Sequence, residues 1–343
     1  MKDTLIIGGG ISGCTLAWQW YFNDKSFTLV TDQKKGSSAV AAGVYNPTIL
    51  KRFTSVWKAQ EQLEYMLPFY QKIEKELDCK LFHPYKILRR LHDNNEQKTW
   101  VAKSEKPELK PFMKGSISSL KIDGINAPFG YGEVTQTGWL DTLTFMSKSY
   151  EFFKNLDSFH AGNDDGLSFD NQSVIFNTEV FDHVIYAEGY AIKDNAKFNY
   201  LPLQGNKGEI MLIKVPDLKL NAIIKAGVFI MPYKDDMFWV GATYNRHDLS
   251  DNISHAGAQF LSSRLEKILT VPYEIVEYKW GIRPTTVDRR PFLGAHPNLK
   301  NHYVFNGMGS RAVLIAPWAS EQLHNCIFNN TSLHPDIDIQ RFR

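Results

Sequence analysis

The sequence predicts an α/β fold in which a doubly wound parallel sheet is interrupted by a discontinuous, mainly antiparallel α+β domain. Three observations lead there. The chain opens on an apolar run, Thr4-Leu5-Ile6-Ile7, that breaks into Gly8-Gly9-Gly10-Ile11-Ser12-Gly13 and resumes as Cys14-Thr15-Leu16-Ala17-Trp18, the pattern of strand, tight turn and helix. From Lys80 onward, short apolar segments divided by polar, proline-containing stretches such as Lys106-Pro107-Glu108-Leu109-Lys110-Pro111 replace that texture. Near the end, Tyr303-Val304-Phe305-Asn306-Gly307-Met308-Gly309-Ser310-Arg311-Ala312 again reads as strand and glycine turn, leading into a helix toward Phe328.

The first glycines stand at the spacing of a dinucleotide fingerprint. Gly8 allows the tight turn, Gly10 lets backbone amides approach a pyrophosphate, and Gly13 lets the helix pack close to its strand. The phosphates would then lie on the helix N-terminus, at Ile11 and Ser12. The second strand, Phe27-Thr28-Leu29-Val30-Thr31, ends at Asp32, nineteen residues beyond Gly13 and followed by Gln33. An acid there accepts hydrogen bonds from a ribose and disfavours a 2′-phosphate. The fingerprint does not separate NAD from FAD. The loop Lys35-Gly36-Ser37-Ser38-Ala39-Val40-Ala41-Ala42-Gly43-Val44-Tyr45-Asn46-Pro47 has side chains mostly too small to build a core. A surface linker would be more polar, so the loop is read as packing on a large ligand.

Val56, Ala59, Leu63, Met66, Tyr70, Ile73 and Leu77 repeat at helical spacing and form a core stripe. Leu81–His83, Ile87–Leu91 and Ser116–Leu120 read as strands, and Gly138-Trp139-Leu140-Asp141 leads into a helix through Phe152. His183-Val184-Ile185-Tyr186-Ala187-Glu188-Gly189 returns to the nucleotide sheet, after which strands at Glu209–Ile213, Val228–Pro232 and Phe238–Thr243 resume the antiparallel part. The expected division is 1–80, 136–195 and 285–343 for the nucleotide domain and 81–135 with 196–284 for the inserted one.

At 343 residues with 43% hydrophobic content, the chain is long enough for two cores. Its 39 basic against 37 acidic residues carry no nucleic-acid signature. Cys14, Cys79 and Cys326 form no CxxC pair, and no metal constellation is visible. With no cleavable leader in the sequence read, and no run of about 18 apolar residues, a cytoplasmic protein without a membrane span is expected. Oligomeric state stays open.

Together these blocks resemble the D-amino-acid oxidase (DAO) superfamily of FAD-dependent amine oxidoreductases, which includes glycine and sarcosine oxidases. The segments at Gly138-Trp139 and Gly307–Arg311 look most like the flavin domain of the bifunctional tRNA 5-methylaminomethyl-2-thiouridine biosynthesis enzymes, although no methyltransferase half accompanies them. The resemblance implies an FAD-binding, Rossmann-like domain with an α+β substrate domain. It assigns cofactor binding to Gly8, Gly10, Ile11, Ser12, Gly13, Asp32, Gln33, Ser37, Ser38, Ala42, Gly43, Gly189, Gly307, Met308, Gly309, Ser310 and Arg311. Arg283, in Gly281-Ile282-Arg283-Pro284, takes the place of the arginine that pairs with a substrate carboxylate; a structural salt bridge is its alternative role. Tyr233, Tyr244 and Trp280 are candidate pocket walls, while His247 and His296 receive no catalytic role. Asp32 stands where the family more often has Glu, Ala312 where a glycine is usual, and Gln204 where many relatives carry arginine. No cysteine falls in the block where the sarcosine-oxidase branch attaches flavin, so FAD is expected to be non-covalent.

The implied chemistry is hydride removal from the carbon beside a neutral amine to flavin N5, giving an imine that water hydrolyses. The amides of Met308–Arg311 are placed to favour negative charge near flavin N1. The preferred substrate is a small amine or amino acid. A carboxymethylaminomethyl-uridine in tRNA is the second reading, requiring the basic pairs Lys51-Arg52, Arg89-Arg90 and Arg289-Arg290 to converge. A nucleotide-binding protein without oxidase activity is the third.

Overall fold

The computed structural model describes residues 1–33, 36–170 and 173–342. Lys35, the first residue of the small-residue loop, and Arg343, the last of the expected nucleotide domain, lie outside the described residues. The opening segment forms strand β1 (Lys2–Ile7), helix α1 (Ile11–Tyr21) and strand β2 (Phe27–Thr31). β1 pairs in parallel with β2 on one side and with the central strand Glu179–Tyr186 on the other. Phe159–Ala161 adds a further parallel strand beyond β2. Strands covered on both faces read as unbroken apolar runs, and all five residues of β2 are buried.

The central strand divides its far edge between two partners. Its first half pairs antiparallel with Ser173–Phe176, and its second half pairs in parallel with His302–Asn306. Helix α1 is almost wholly buried. Trp18 Nε1 donates to Ser149 Oγ at 2.8 Å and Trp20 Nε1 to Thr4 Oγ1 at 2.8 Å, so both large indoles are satisfied inside the core. The stripe from Ala59 to Leu77 is the helix Ala59–Leu77, which packs on the closing helix Ala312–Phe328. Val56 lies before it because Lys58 takes a left-handed conformation (φ 49°) at the helix start. Asp141 caps the helix Thr142–Asn155 by accepting from Thr144 N at 3.1 Å, which fixes where Gly138–Asp141 turns into helix.

The second sheet has eight strands, drawn from 87–134 and 203–286. Its neighbours are antiparallel except Ile223–Ala226 beside Ile87–Arg90, which run parallel. Two long strands dominate one edge: Leu203–Lys214 and Glu274–Thr286 pair antiparallel from Leu203 opposite Thr286 to Lys214 opposite Glu274, with a register shift between Leu212 and Ile213. The strand expected at Ser116–Leu120 instead spans Met113–Ser118. Met113 supplies the buried side chain and Leu120 is exposed, so the expectation took the wrong end of the alternation. Within the small-residue loop, Ser37–Val40 form one helical turn and Val44–Tyr45 a short strand, which no periodicity over so few residues could announce.

Candidate active site

Two cavities meet at Ser37, Ser38, Gly281, Gly309 and Ala312. The first is a long cleft of about 620 Å³ along the ends of β1, β2 and the central strand, the place where an open α/β sheet takes its ligands. Its floor is Gly8–Gly10 with Ser12, its far end Thr31, Asp32 and Gln33, and its other wall Ala187–Gly189. The backbone explains the glycines. Gly8 has φ +108°, and a Cβ there would stand 2.4 Å from Ala187 O. A Cβ on Gly13 would stand 1.7 Å from Gly8 O, because α1 rests directly on the turn. At Gly10 a Cβ would meet only Ser38 Oγ at 3.0 Å and would otherwise project into the cleft. Among the described residues no side chain caps α1, and only Ile11 N is engaged by a side chain, donating to Ser38 Oγ at 3.1 Å. Uncapped amides at a helix start and open glycines fit the pyrophosphate of FAD, and Asp32 on the same cleft fits its ribose.

Glu188 lines this cleft as well, a residue the sequence reading passed over. Burial pushes its carboxyl up to about 7, and nearby Asp164 adds to the rise. The hydrogen bond from Asn195 Nδ2 to its Oε2 at 2.8 Å acts in the opposite direction.

The second cavity is a chamber of about 190 Å³ between Val40–Val44 and the second sheet. Phe229, Trp239, Ile210 and Ala242 form its apolar wall, with Asn46, Tyr244, Arg283 and Arg311 as polar members. Trp239 is fixed by donating from Nε1 to Val40 O at 3.2 Å. Arg283 donates from Nη1 to Thr243 O at 3.2 Å and to Asn206 Oδ1 at 3.4 Å, and its guanidinium lies 4.4 Å from the Tyr244 ring centroid. No carboxylate pairs with it among the described residues, so the structural salt bridge weighed as its alternative role is not formed. Burial holds Arg283 below the usual arginine range. The guanidinium lies flat on Gly208, where a Cβ would come within 2.0 Å of Nη2. A glycine inside a strand marks such close approach, so Lys207-Gly208-Glu209 carried a signal that the reading did not use.

The strand of Arg283 separates the two cavities. Trp280, Ile282 and Pro284 line the long cleft, whereas Arg283 faces the chamber and Gly281 reaches both, the two-residue alternation of a β-strand. Trp280 is therefore not a wall of the chamber, contrary to expectation. Tyr233 lines a smaller cavity with Trp139 and Lys279, which adjoins the chamber at Val40, Ala41, Ala42, Ile210 and Trp239. Of the three aromatic candidates only Tyr244 lines the chamber, and its ring is 67% exposed at the mouth.

The remaining predicted positions divide in the same way. Gly8, Gly10, Ser12, Asp32, Gln33, Gly189 and Met308 line the cleft; Ile11, Ala42, Gly43, Ser310 and Arg311 line the chamber; Ser37, Ser38 and Gly309 line both. Gly13 and Gly307 touch neither and act through packing: a Cβ on Gly307 would stand 2.6 Å from Thr286 Cγ2. None of the three cysteines lines either cavity. His296 Nδ1 accepts from the backbone amides of Asn298 and Leu299, a structural role. Among the basic pairs, Arg89 is buried and ion-paired with Glu96 at 2.6 Å, while Lys51, Arg52 and Arg289 are exposed.

No helix among the described residues is long and apolar enough to cross a membrane. Residues 3–324 match the family described as FAD dependent oxidoreductase (DAO). The tRNA 5-methylaminomethyl-2-thiouridine biosynthesis bifunctional protein MnmC of Legionella pneumophila (strain Philadelphia 1) is 23% identical over 99% of this chain and 56% of its own length. The glycine oxidase of Geobacillus kaustophilus is 26% identical over 71% of this chain and 64% of its own length. The chain thus spans between about half and two thirds of these two curated relatives. The crystal structure of glycine oxidase from Geobacillus kaustophilus superposes with a TM-score of 0.77 at 17% identity, covering 99% of this chain and 97% of that one. With the fingerprint, the acid at the end of β2 and the second glycine turn all on one cleft, the chain belongs to the DAO family of FAD-dependent oxidoreductases.

Proposed function

We propose that the protein oxidises the C–N bond of a small amino acid or related amine carboxylate. The observation that carries this reading is Arg283, a half-buried arginine in a chamber contiguous with the cofactor cleft, with no carboxylate partner among the described residues. A planar fork of this kind is suited to a carboxylate held through two parallel hydrogen bonds. Bound FAD supplies a two-electron acceptor for a hydride from the carbon beside the amine.

The chain's own part is positioning. Arg283 fixes the carboxylate, and the apolar wall of Phe229, Trp239, Ile210 and Ala242 keeps water from the reacting C–H bond. At the start of the closing helix the amides of Gly309 and Arg311 donate to Pro284 O and Met308 O, so among these four it is those of Met308 and Ser310 that favour negative charge at the cavity junction. Among the described residues, no Asp, Glu, His or Lys lines the chamber. The amine therefore has to arrive unprotonated, and the pH dependence of turnover should follow the pKa of the substrate amine.

The test is anaerobic mixing of the yellow protein with glycine, sarcosine and a panel of D-amino acids, followed by loss of visible flavin absorbance. Bleaching by amino acids and not by their N-free analogues supports the reading; no bleaching by any amine refutes it. A second reading, oxidation of a carboxymethylaminomethyl-uridine in tRNA, is favoured by the match of MnmC across 99% of this chain and by exposed Lys51, Arg52 and Arg289. Bleaching by the modified tRNA alone, suppressed steeply by salt, would establish it.

A further inference from the structure

A second arginine faces the chamber under the same conditions as Arg283. Arg311 opens the closing helix, and its Nη1 donates to Asn46 O at 2.9 Å. Like Arg283, it has no carboxylate partner among the described residues. Both guanidinia use only Nη1 for protein hydrogen bonds, so Nε and Nη2 of each are left without a protein acceptor among the described residues. Burial holds Arg311 below the usual arginine range; the Tyr244 phenol supports its charge and Arg289 opposes it. Among the described residues, the lining of this cavity of about 190 Å³ therefore carries two cations and no acid. Buried charges are ordinarily paired. The oxidised flavin beside Met308–Arg311 is a neutral hydrogen-bond acceptor, so a single carboxylate on Arg283 leaves the charge of Arg311 without a counter-ion, and the amine, neutral when it reacts, contributes none.

We propose that the substrate carries two anionic groups and is an amine dicarboxylate, with Arg283 taking the carboxylate beside the reacting C–N bond and Arg311 taking the distal one. This rests on the amine-oxidation reading above and narrows its substrate class. Arg311 is then the residue that selects acidic over neutral amino acids, because a neutral side chain would leave a half-buried guanidinium without a counter-ion.

The experiment uses the FAD-loaded protein and ligands that cannot be oxidised. Malonate, succinate and glutarate are titrated against acetate, propionate and butyrate, with dissociation constants read from the flavin difference spectrum. The best dicarboxylate should bind at least tenfold more tightly than the best monocarboxylate. Arg311→Gln should reduce that preference to less than threefold while leaving the monocarboxylate constants within threefold, and Arg311→Lys should retain part of it. Equal affinity of mono- and dicarboxylates in the unaltered protein would overturn the proposal, whether or not the variants fold. So would an Arg311→Gln protein that loses FAD or weakens both ligand series alike, since Arg311 would then act on the cofactor. Oxidation is scored separately, by flavin bleaching with D-aspartate and D-glutamate against D-alanine. Tight dicarboxylate binding with no bleaching by any amine refutes amine oxidation and leaves the two-anion site standing; bleaching without dicarboxylate preference does the reverse.

Discussion

Replacing Arg283 by Met should separate the stability of the protein from its ability to hold a carboxylate. The guanidinium makes weak contacts for a half-buried cation: 3.2 Å to Thr243 O, 3.4 Å to Asn206 Oδ1 and 4.4 Å to the Tyr244 ring, with no carboxylate among the described residues. Methionine keeps the unbranched stem over Gly208 and removes a charge that burial disfavours, so the unliganded protein should lose little stability, within about 1 kcal/mol. The carboxylate loses two charged hydrogen bonds. At roughly 1.5 kcal/mol each these amount to about 3 kcal/mol, or about 150-fold in Kd. The assay is a carboxylate titration followed by the flavin difference spectrum, paired with a thermal melt of the same preparation. Arg283→Lys should recover only part of the affinity, since an ammonium cannot form the planar fork. A variant that melts far lower, or no longer retains FAD, while the carboxylate constant stays put would refute the reasoning and make Arg283 structural.

Gly10→Val should fold, since a Cβ there meets only Ser38 Oγ, yet should fail to take up FAD; circular dichroism and the visible spectrum check both halves. Gly208→Ala should push the Arg283 guanidinium aside, because its Cβ would stand 2.0 Å from Nη2, and should weaken carboxylate binding by about tenfold or more with FAD still bound. Denaturation should release FAD free in solution, as none of the three cysteines lines the cleft or the chamber; flavin that stays with the precipitated chain would contradict this. Glu188, with its carboxyl raised to about 7, is held preferentially neutral in the folded cofactor-free chain. Its contribution, at most about 3 kcal/mol, is present below the ordinary carboxylate range and is lost as pH rises through about 7. Melting temperature should therefore fall over that interval, and Glu188→Gln should flatten the fall.

The unit β1–α1–β2 and the acid at its end are legible in the sequence because each is local: an apolar run, glycines at fixed offsets, and a second run closing on Asp32. The Ala59–Leu77 helix is legible for the same reason, down to the one residue, Val56, that falls outside it. What local pattern cannot show is which distant segments meet. Phe229 and Trp239 reach the chamber only because their hairpin packs against Val40, and Ile223–Ala226 lies parallel to Ile87–Arg90 across more than a hundred residues of chain. Trp280 was misplaced for a simpler reason. It stands three residues from Arg283 on one strand, and an odd offset puts two side chains on opposite faces. That rule was available from the sequence alone.

The strand that parts the two cavities has a consequence for how such a protein can diversify. Its even positions, Trp280, Ile282 and Pro284, belong to the long cleft, and Arg283 to the chamber, so two surfaces are written in alternate letters of one short word. On the proposed reading, substitution at position 283 changes what the chamber recognises without editing the face toward the cleft, and substrate range is free to drift while the cofactor is kept. Insertion or deletion of one residue has the opposite effect, exchanging both sets at once. The long ladder from Leu203–Thr286 to Lys214–Glu274 guards against that, and its irregularity between Leu212 and Ile213 lies away from the Asn206–Arg283 pair, where a slip would be felt.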